Sequence, residues 1–145
     1  MAAPQAWCQG PEAAGRTILF AACDSPESFA AFAWSRANLL RQQDTLVLVH
    51  AYERDRLFSG MSALAEGQRV IAKFEDLCQK REVQFRVVLA QGCAAKVVAA
   101  AAHANQCDLC VIGCRGLGPV KRAIVGSVRL PYSPGRVLIF ASHYK

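Results

Sequence analysis

Charge is scarce in this chain of 145 residues: 19% of them are charged, against 53% that are hydrophobic. So little charge on so much apolar material excludes a disordered polypeptide and fits one folded domain with a sizeable core. Acidic residues are the scarcer sign, 11 Asp and Glu against 17 Lys and Arg, for a formal net charge of +6. Long apolar runs are missing. The purely apolar stretches fall far below the roughly twenty residues a membrane-spanning helix requires. The opening MAAPQAWCQGPEAAG lacks the basic n-region and apolar h-region of a secretory signal, so a cytoplasmic protein is expected. Cys107 and Cys110 form a CxxC with His103 upstream, but no second CxxC or HxxxH pair completes four zinc ligands, and no metal site is expected. Ser127 does not stand in a G-x-S-x-G elbow, and no acidic residue is placed to orient a histidine base for it, which argues against serine-hydrolase chemistry. No catalytic residue is assigned.

Seven cysteines are present, an odd number. In a reducing compartment they read as free thiols, mostly buried, with Cys23, Cys110 and Cys114 in or beside strand ends. His50 falls within a strand and reads as a packed, hydrogen-bonded histidine rather than a catalyst. The basic residues are scattered apart from Arg115, Lys121, Arg122 and Arg129, so no nucleic-acid interface is expected; a small phosphorylated ligand near that segment fits better.

Residues 1–15, rich in Ala, Pro, Gly and Gln, read as a flexible tail, and 16–145 as the folded domain. From Arg16 onward apolar strand runs alternate with helical patterns. RTILFAA, TLVLVHAY, VQFRVVLA, LCVIG and RVLIFA read as strands. After the first, CDSPES is a helix start, with Ser25 as cap, Pro26 at the first helical position and Glu27 at the positive end. Phe29, Phe32, Ala33, Ala37 and Leu40 then fall at helical spacing and are expected to form the buried face. A second helix carries Leu64, Ile71, Phe74, Leu77 and Cys78. Gly92 breaks the chain before a third, alanine-rich helix with Val97, Val98, Ala101 and Ala102 on its apolar face. Strands alternating with helices imply right-handed βαβ units, hence an α/β fold: a doubly wound, Rossmann-like, five-stranded parallel sheet. In such a sheet the ligand crevice lies outside the strands' carboxyl ends, where strand order reverses, which directs attention to the loops after strands one and four.

The loop after strand four, IGCRGLGPVKRAIVGSV, places Gly113, Gly116, Gly126 and Ser127 in the spacing G-x2-G-x9-G-S. Such glycines let a backbone turn sharply and approach a ligand. The Gly126-Ser127 step would open a helix whose free N–H groups can cradle phosphate, with Arg115, Lys121 and Arg122 adding charge nearby. Asp24 could hold a magnesium ion beside a triphosphate, or serve in the Asp-Ser-Pro turn.

The segment CDLCVIGCRGLGPVKRAIVGSV resembles the signature of the universal stress protein family, and the likeness extends through ILFAACDSPES, LVHAY and QGCAAKVV over roughly residues 16–141. The resemblance implies a sheet of order 3-2-1-4-5 and, as in many members, ATP held through the glycine motif, with Mg²⁺ as a possible companion. It implies ribose and phosphate contacts at Gly113, Gly116, Gly126, Ser127 and Val128, and a main-chain contact from Ala51 to adenine. Cys23, Asp24, Ser25 and Arg115 complete the implied site. It also implies a homodimer, or docking to another protein, through strand five at Val137, Leu138, Ile139 and Phe140. The chain departs from the family pattern in three places. Cys23 replaces an acidic residue after strand one. Cys93 replaces the aspartate that opens helix three. RLPYSPGR, with Pro131 and Pro134, replaces a last helix of several turns, which is expected to be truncated.

The role that follows is regulatory rather than catalytic, although a bound triphosphate near a serine leaves slow hydrolysis or self-phosphorylation open. A second reading, favoured by Cys23 and the short last helix, is a nucleotide-free interaction module or a subunit of a larger assembly. A third, a thiol-redox or metal protein, rests on the cysteine count alone.

Overall fold

The computed structural model describes residues 15–53, 60–115 and 136–142, with side chains for 15–53, 63–113 and no others. The elements are β1 (Thr17–Ala21), α1 (Pro26–Asn38), β2 (Thr45–Tyr52), α2 (Gly60–Lys80), β3 (Gln84–Gln91), α3 (Ala94–Ala104), β4 (Leu109–Arg115) and β5 (Arg136–Ser142). All pair in parallel, in the order β3-β2-β1-β4-β5. The core described at side-chain level is four-stranded, β3-β2-β1-β4. The expected five-stranded sheet is thus described with side chains over four strands alone: the fifth, β5, is described only as backbone pairing along β4, Arg136 opposite Leu109 through Ser142 opposite Arg115. The expected truncated last helix lies outside the described residues, as does the tail up to residue 14.

Alternation across the sheet sorts the strand side chains into two cores. Ile18, Phe20, Leu46, Leu48 and Val111 face α1 and α2, where they meet Phe32, Val70, Ile71 and Phe74. Phe29 stacks on Phe74 at a centroid distance of 4.8 Å, and Phe20 meets Phe32 edge to face at 5.5 Å, geometries that add to burial alone. On the other face Leu19, Val47, Val49, Cys110 and Ile112 pack against Ala95, Val98, Ala101 and Ala102 of α3. The first two helices cover one face and the third the other because the chain turns back past β1 to reach β4, and right-handed crossovers in opposite directions land on opposite faces.

The start of α1 follows its sequence signals. Ser25 is the N-cap, its hydroxyl oxygen accepting from Ser28 N–H at 3.2 Å, and Pro26 opens the helix. Its buried face differs from the expected one. Ser28, Ala31, Phe32 and Ser35 are buried, whereas Ala33 and Ala37 are exposed. Both serines are satisfied locally: Cys23 N–H donates to Ser28 Oγ at 3.0 Å, and Ser35 Oγ donates to Ala31 O at 2.7 Å. A satisfied hydroxyl is cheap to bury, and an alanine methyl gains little by burial, so packing against the sheet decides the rotation of the helix.

At the opposite end of the sheet Asp44 is buried and gathers donors. It accepts from Arg16 N–H at 3.0 Å, Arg41 N–H at 2.9 Å and the Arg16 guanidinium at 2.6 Å. Thr17 N–H likewise donates to Asp108 Oδ2, at 2.9 Å, tying β1 to the entry of β4.

Candidate functional site

β1 ends before its neighbours do. Its last paired residue, Ala21, lies opposite Val49 of β2 and Ile112 of β4, while those strands run on through His50–Tyr52 and Gly113–Arg115. Three residues of overhang on each side make a notch about 10 Å deep, spanned where a strand is missing by about 10 Å. It sits at the point where strand order reverses, the position expected for a ligand crevice.

Hydrogen-bond alternation identifies which backbone groups face the notch. Thr45 N–H bonds Arg16 O and Val49 O accepts from Ala22 N–H, so alternate residues of β2, Ala51 included, aim their main chain toward β1. Asp108 N–H bonds Thr17 O, so by the same alternation Cys114 of β4 aims its main chain toward β1. With β1 ended, the N–H and C=O of Ala51 and Cys114 face each other across the gap. The neighbouring Tyr52 points the other way, its C=O accepting from Gly92 N–H at 2.9 Å.

The floor is formed where β1 leaves the sheet. Ala22 O accepts from His50 Nδ1–H at 2.8 Å, which makes His50 the hydrogen-bonded structural histidine its strand position suggested. Cys23 follows and is exposed, correcting the expectation of a buried thiol there; the surrounding protein still pushes its pKa up, so it is not an activated thiolate. Asp24 is exposed and engaged by Lys73 of α2, at 3.1 and 3.2 Å. Lys73 was not legible as part of this region, because only the packing of α2 brings it to Asp24. Ser25 is occupied as the cap of α1, and Glu27 is buried in the same first turn. With a hydroxyl and a carboxylate already there, the α1 N-terminus is a poor cradle for phosphate.

Gly113 is half-buried in β4, and its glycine identity has a reason the sequence did not show. A Cβ there would lie 2.7 Å from Glu27 O and 2.9 Å from Ser28 Cα, so only glycine lets the first turn of α1 rest on β4. Of the remaining expected site residues, Arg115 is described as backbone at the end of β4, and Gly116, Gly126, Ser127 and Val128 lie outside the described residues, as do Lys121, Arg122 and Arg129. The side chains of Val137, Leu138, Ile139 and Phe140 are likewise outside them, although their backbone pairs with Cys110–Gly113.

Elsewhere, Cys107 and Cys110 are buried free thiols. Burial pushes Cys107 up to about 11, with the Asp108 carboxylate adding to the effect, and Cys110 up to about 12. Both therefore hold their protons, against the thiol-redox reading, which needs a thiolate. Among the described residues no helix is long and apolar enough to cross a membrane.

The model of the "Universal stress protein family" matches residues 15–129. No curated protein sequence matches the chain. Several solved structures share the fold. A universal stress protein family protein from Arabidopsis thaliana with AMP bound is 17% identical at a TM-score of 0.68, over 88% of this chain and 93% of that one. A family protein from Burkholderia pseudomallei is 19% identical at a TM-score of 0.71, over 91% and 100%. A universal stress protein in complex with cAMP is 14% identical at 0.62, over 87% and 97%.

Proposed function

The chain belongs to the universal stress protein family, and from that premise we propose that it is a regulatory module binding an adenine nucleotide, ATP above all, in the notch beyond β1. The observation that carries the reading is the pair of inward-facing backbone edges at Ala51 and Cys114. A flat heteroaromatic base with a donor and an acceptor on one edge can bond Ala51 much as a further strand would. The AMP and cAMP held by two structures of the same fold agree with that ligand class. Because the α1 N-terminus is already closed, the phosphates belong to the segment of Gly116, Gly126, Ser127 and Val128, with Arg115, Lys121 or Arg122 supplying charge. Asp24, paired with Lys73, needs no Mg²⁺ to balance its charge, so any magnesium would come with the triphosphate. The reading includes a homodimer through β5, which stands at the edge of the sheet with no further strand beyond it among the described residues.

Calorimetry with ATP and AMP, with and without Mg²⁺, tests the proposal. Saturable binding at one site per chain is expected. Ser127→Ala should weaken it by about 1–2 kcal/mol, one hydrogen bond to a charged group, and Gly126→Val should abolish it. Ala51→Pro removes an N–H that no ladder uses, so it should weaken binding while the far-ultraviolet dichroism stays unchanged. A folded protein that gives neither heat nor thermal shift with millimolar nucleotide would instead be the nucleotide-free interaction module.

A further inference from the structure

Away from the notch, a groove of about 530 Å³ runs between α3 and the edge strand β3. Its walls are Val88 and Ala90 on the strand and Val97, Ala100, Ala101 and Ala104 on the helix. It exists because α3 is built largely of alanine, whose methyls do not reach across to β3. The volume falls in the range of small-ligand sites. The helix flank is about 16 Å long, enough for an extended alkyl chain of medium length. Among the described residues one charged side chain lines the groove, Lys96, in the first turn of α3, where no acidic residue stands. Apolar walls with Lys96 at the head of α3 fit a single alkyl chain ending in an anion; the other nearby cation, Arg86, stands on the same face of β3 toward Cys107, beyond the opposite end of the groove.

We propose that this groove binds a medium-chain carboxylate, the chain lying along Ala100 and Ala104 and the head group meeting Lys96. The groove lies on the far side of β2 from the notch, although the N–H of Gly92, at its head end, donates to Tyr52 O beside Ala51. The alkyl site and the nucleotide notch use different side chains, so neither ligand needs the other in order to bind.

Dodecanoate is titrated into the whole protein below its micelle concentration, with dodecanol as the uncharged comparison, and binding is read by calorimetry and by the labelling rate of Cys93, an exposed thiol on the groove lining. One saturable equivalent is expected, slowing Cys93 labelling but leaving the exposed Cys23, on the notch side, unchanged. Lys96→Glu should weaken dodecanoate by about tenfold or more and dodecanol little, the scale of one charge-assisted contact. Ala100→Trp, at an exposed position, should fill the groove and abolish both; if it does not fold, Ala104→Leu serves the same purpose. Excess ATP should displace nothing. Absence of saturable binding, binding unchanged by the groove-filling variant, or equal affinity for acid and alcohol in both wild type and Lys96→Glu would overturn the proposal.

Discussion

Asp44 shows how one buried carboxylate can tie a chain segment in place. Burial pushes its pKa up, but the hydrogen bonds from Arg16 and Arg41 and the Arg16 charge together outweigh burial, and the carboxyl is held below its ordinary value. A group lowered on folding stabilises the native state fully above its unfolded pKa and loses that contribution as pH falls through the folded value. Asp44→Ala should therefore cost about 2–4 kcal/mol near neutral pH, because it removes the acceptor of four part-buried hydrogen bonds, two from main-chain N–H groups and two from the Arg16 guanidinium. In urea titrations the gap between variant and wild type should be constant near neutral pH and narrow as pH falls below the ordinary aspartate value of about 3.9 and on through the lowered folded value. Sequence reading did not single out Asp44, since its partner Arg16 stands 28 residues away. His50 and Ser25, by contrast, were legible, because strand position and the Ser-Pro-Glu order constrain them locally. Asp24 was legible as a turn residue but not as the partner of Lys73, 49 residues distant.

At the scale of elements, the order of strands and helices could be read from apolar runs and caps, and the structure reproduces it in all its described segments. The rotation of α1 could not. Apolar periodicity favoured Ala33 and Ala37 as buried, whereas the helix turns Ser28 and Ser35 inward because each hydroxyl finds a partner within five residues. Gly113 belongs to the same contact: it read as part of a ligand loop, and the structure shows it accommodating the first turn of α1. Gly113→Ala should destabilise the fold by about 1–3 kcal/mol, since the new methyl meets backbone that cannot step aside like a flexible side chain. Chemical denaturation measures this directly. An unchanged midpoint would mean that α1 shifts on β4 at little cost.

At the scale of the whole molecule, the five thiols among the described residues are unevenly distributed, and that distribution can be tested. Cys78, Cys107 and Cys110 are buried, whereas Cys23 and Cys93 are exposed. Burial, with the nearby Glu75 carboxylate adding to it, pushes Cys78 up to about 11. At pH 8, peptide mapping after maleimide treatment should find Cys23 and Cys93 labelled in the native protein and the three buried thiols only after unfolding. Native labelling of Cys107 or Cys110 would show that the α3 face opens on the timescale of the reagent. The same overall view exposes a kinetic problem in the central strand. β1 pairs on one side with β2, close in sequence, but its other edge waits for β4, and Thr17 and Asp108 are 91 residues apart. On a ribosome adding about 5–20 residues per second, that edge stays open for on the order of ten seconds. During that interval TILFA, among the most apolar segments of the chain, presents unpaired amides to any neighbouring nascent strand. The strand that makes the finished sheet most secure is thus its longest-lived hazard during synthesis, and slowed translation before residue 109 should reveal it as aggregation.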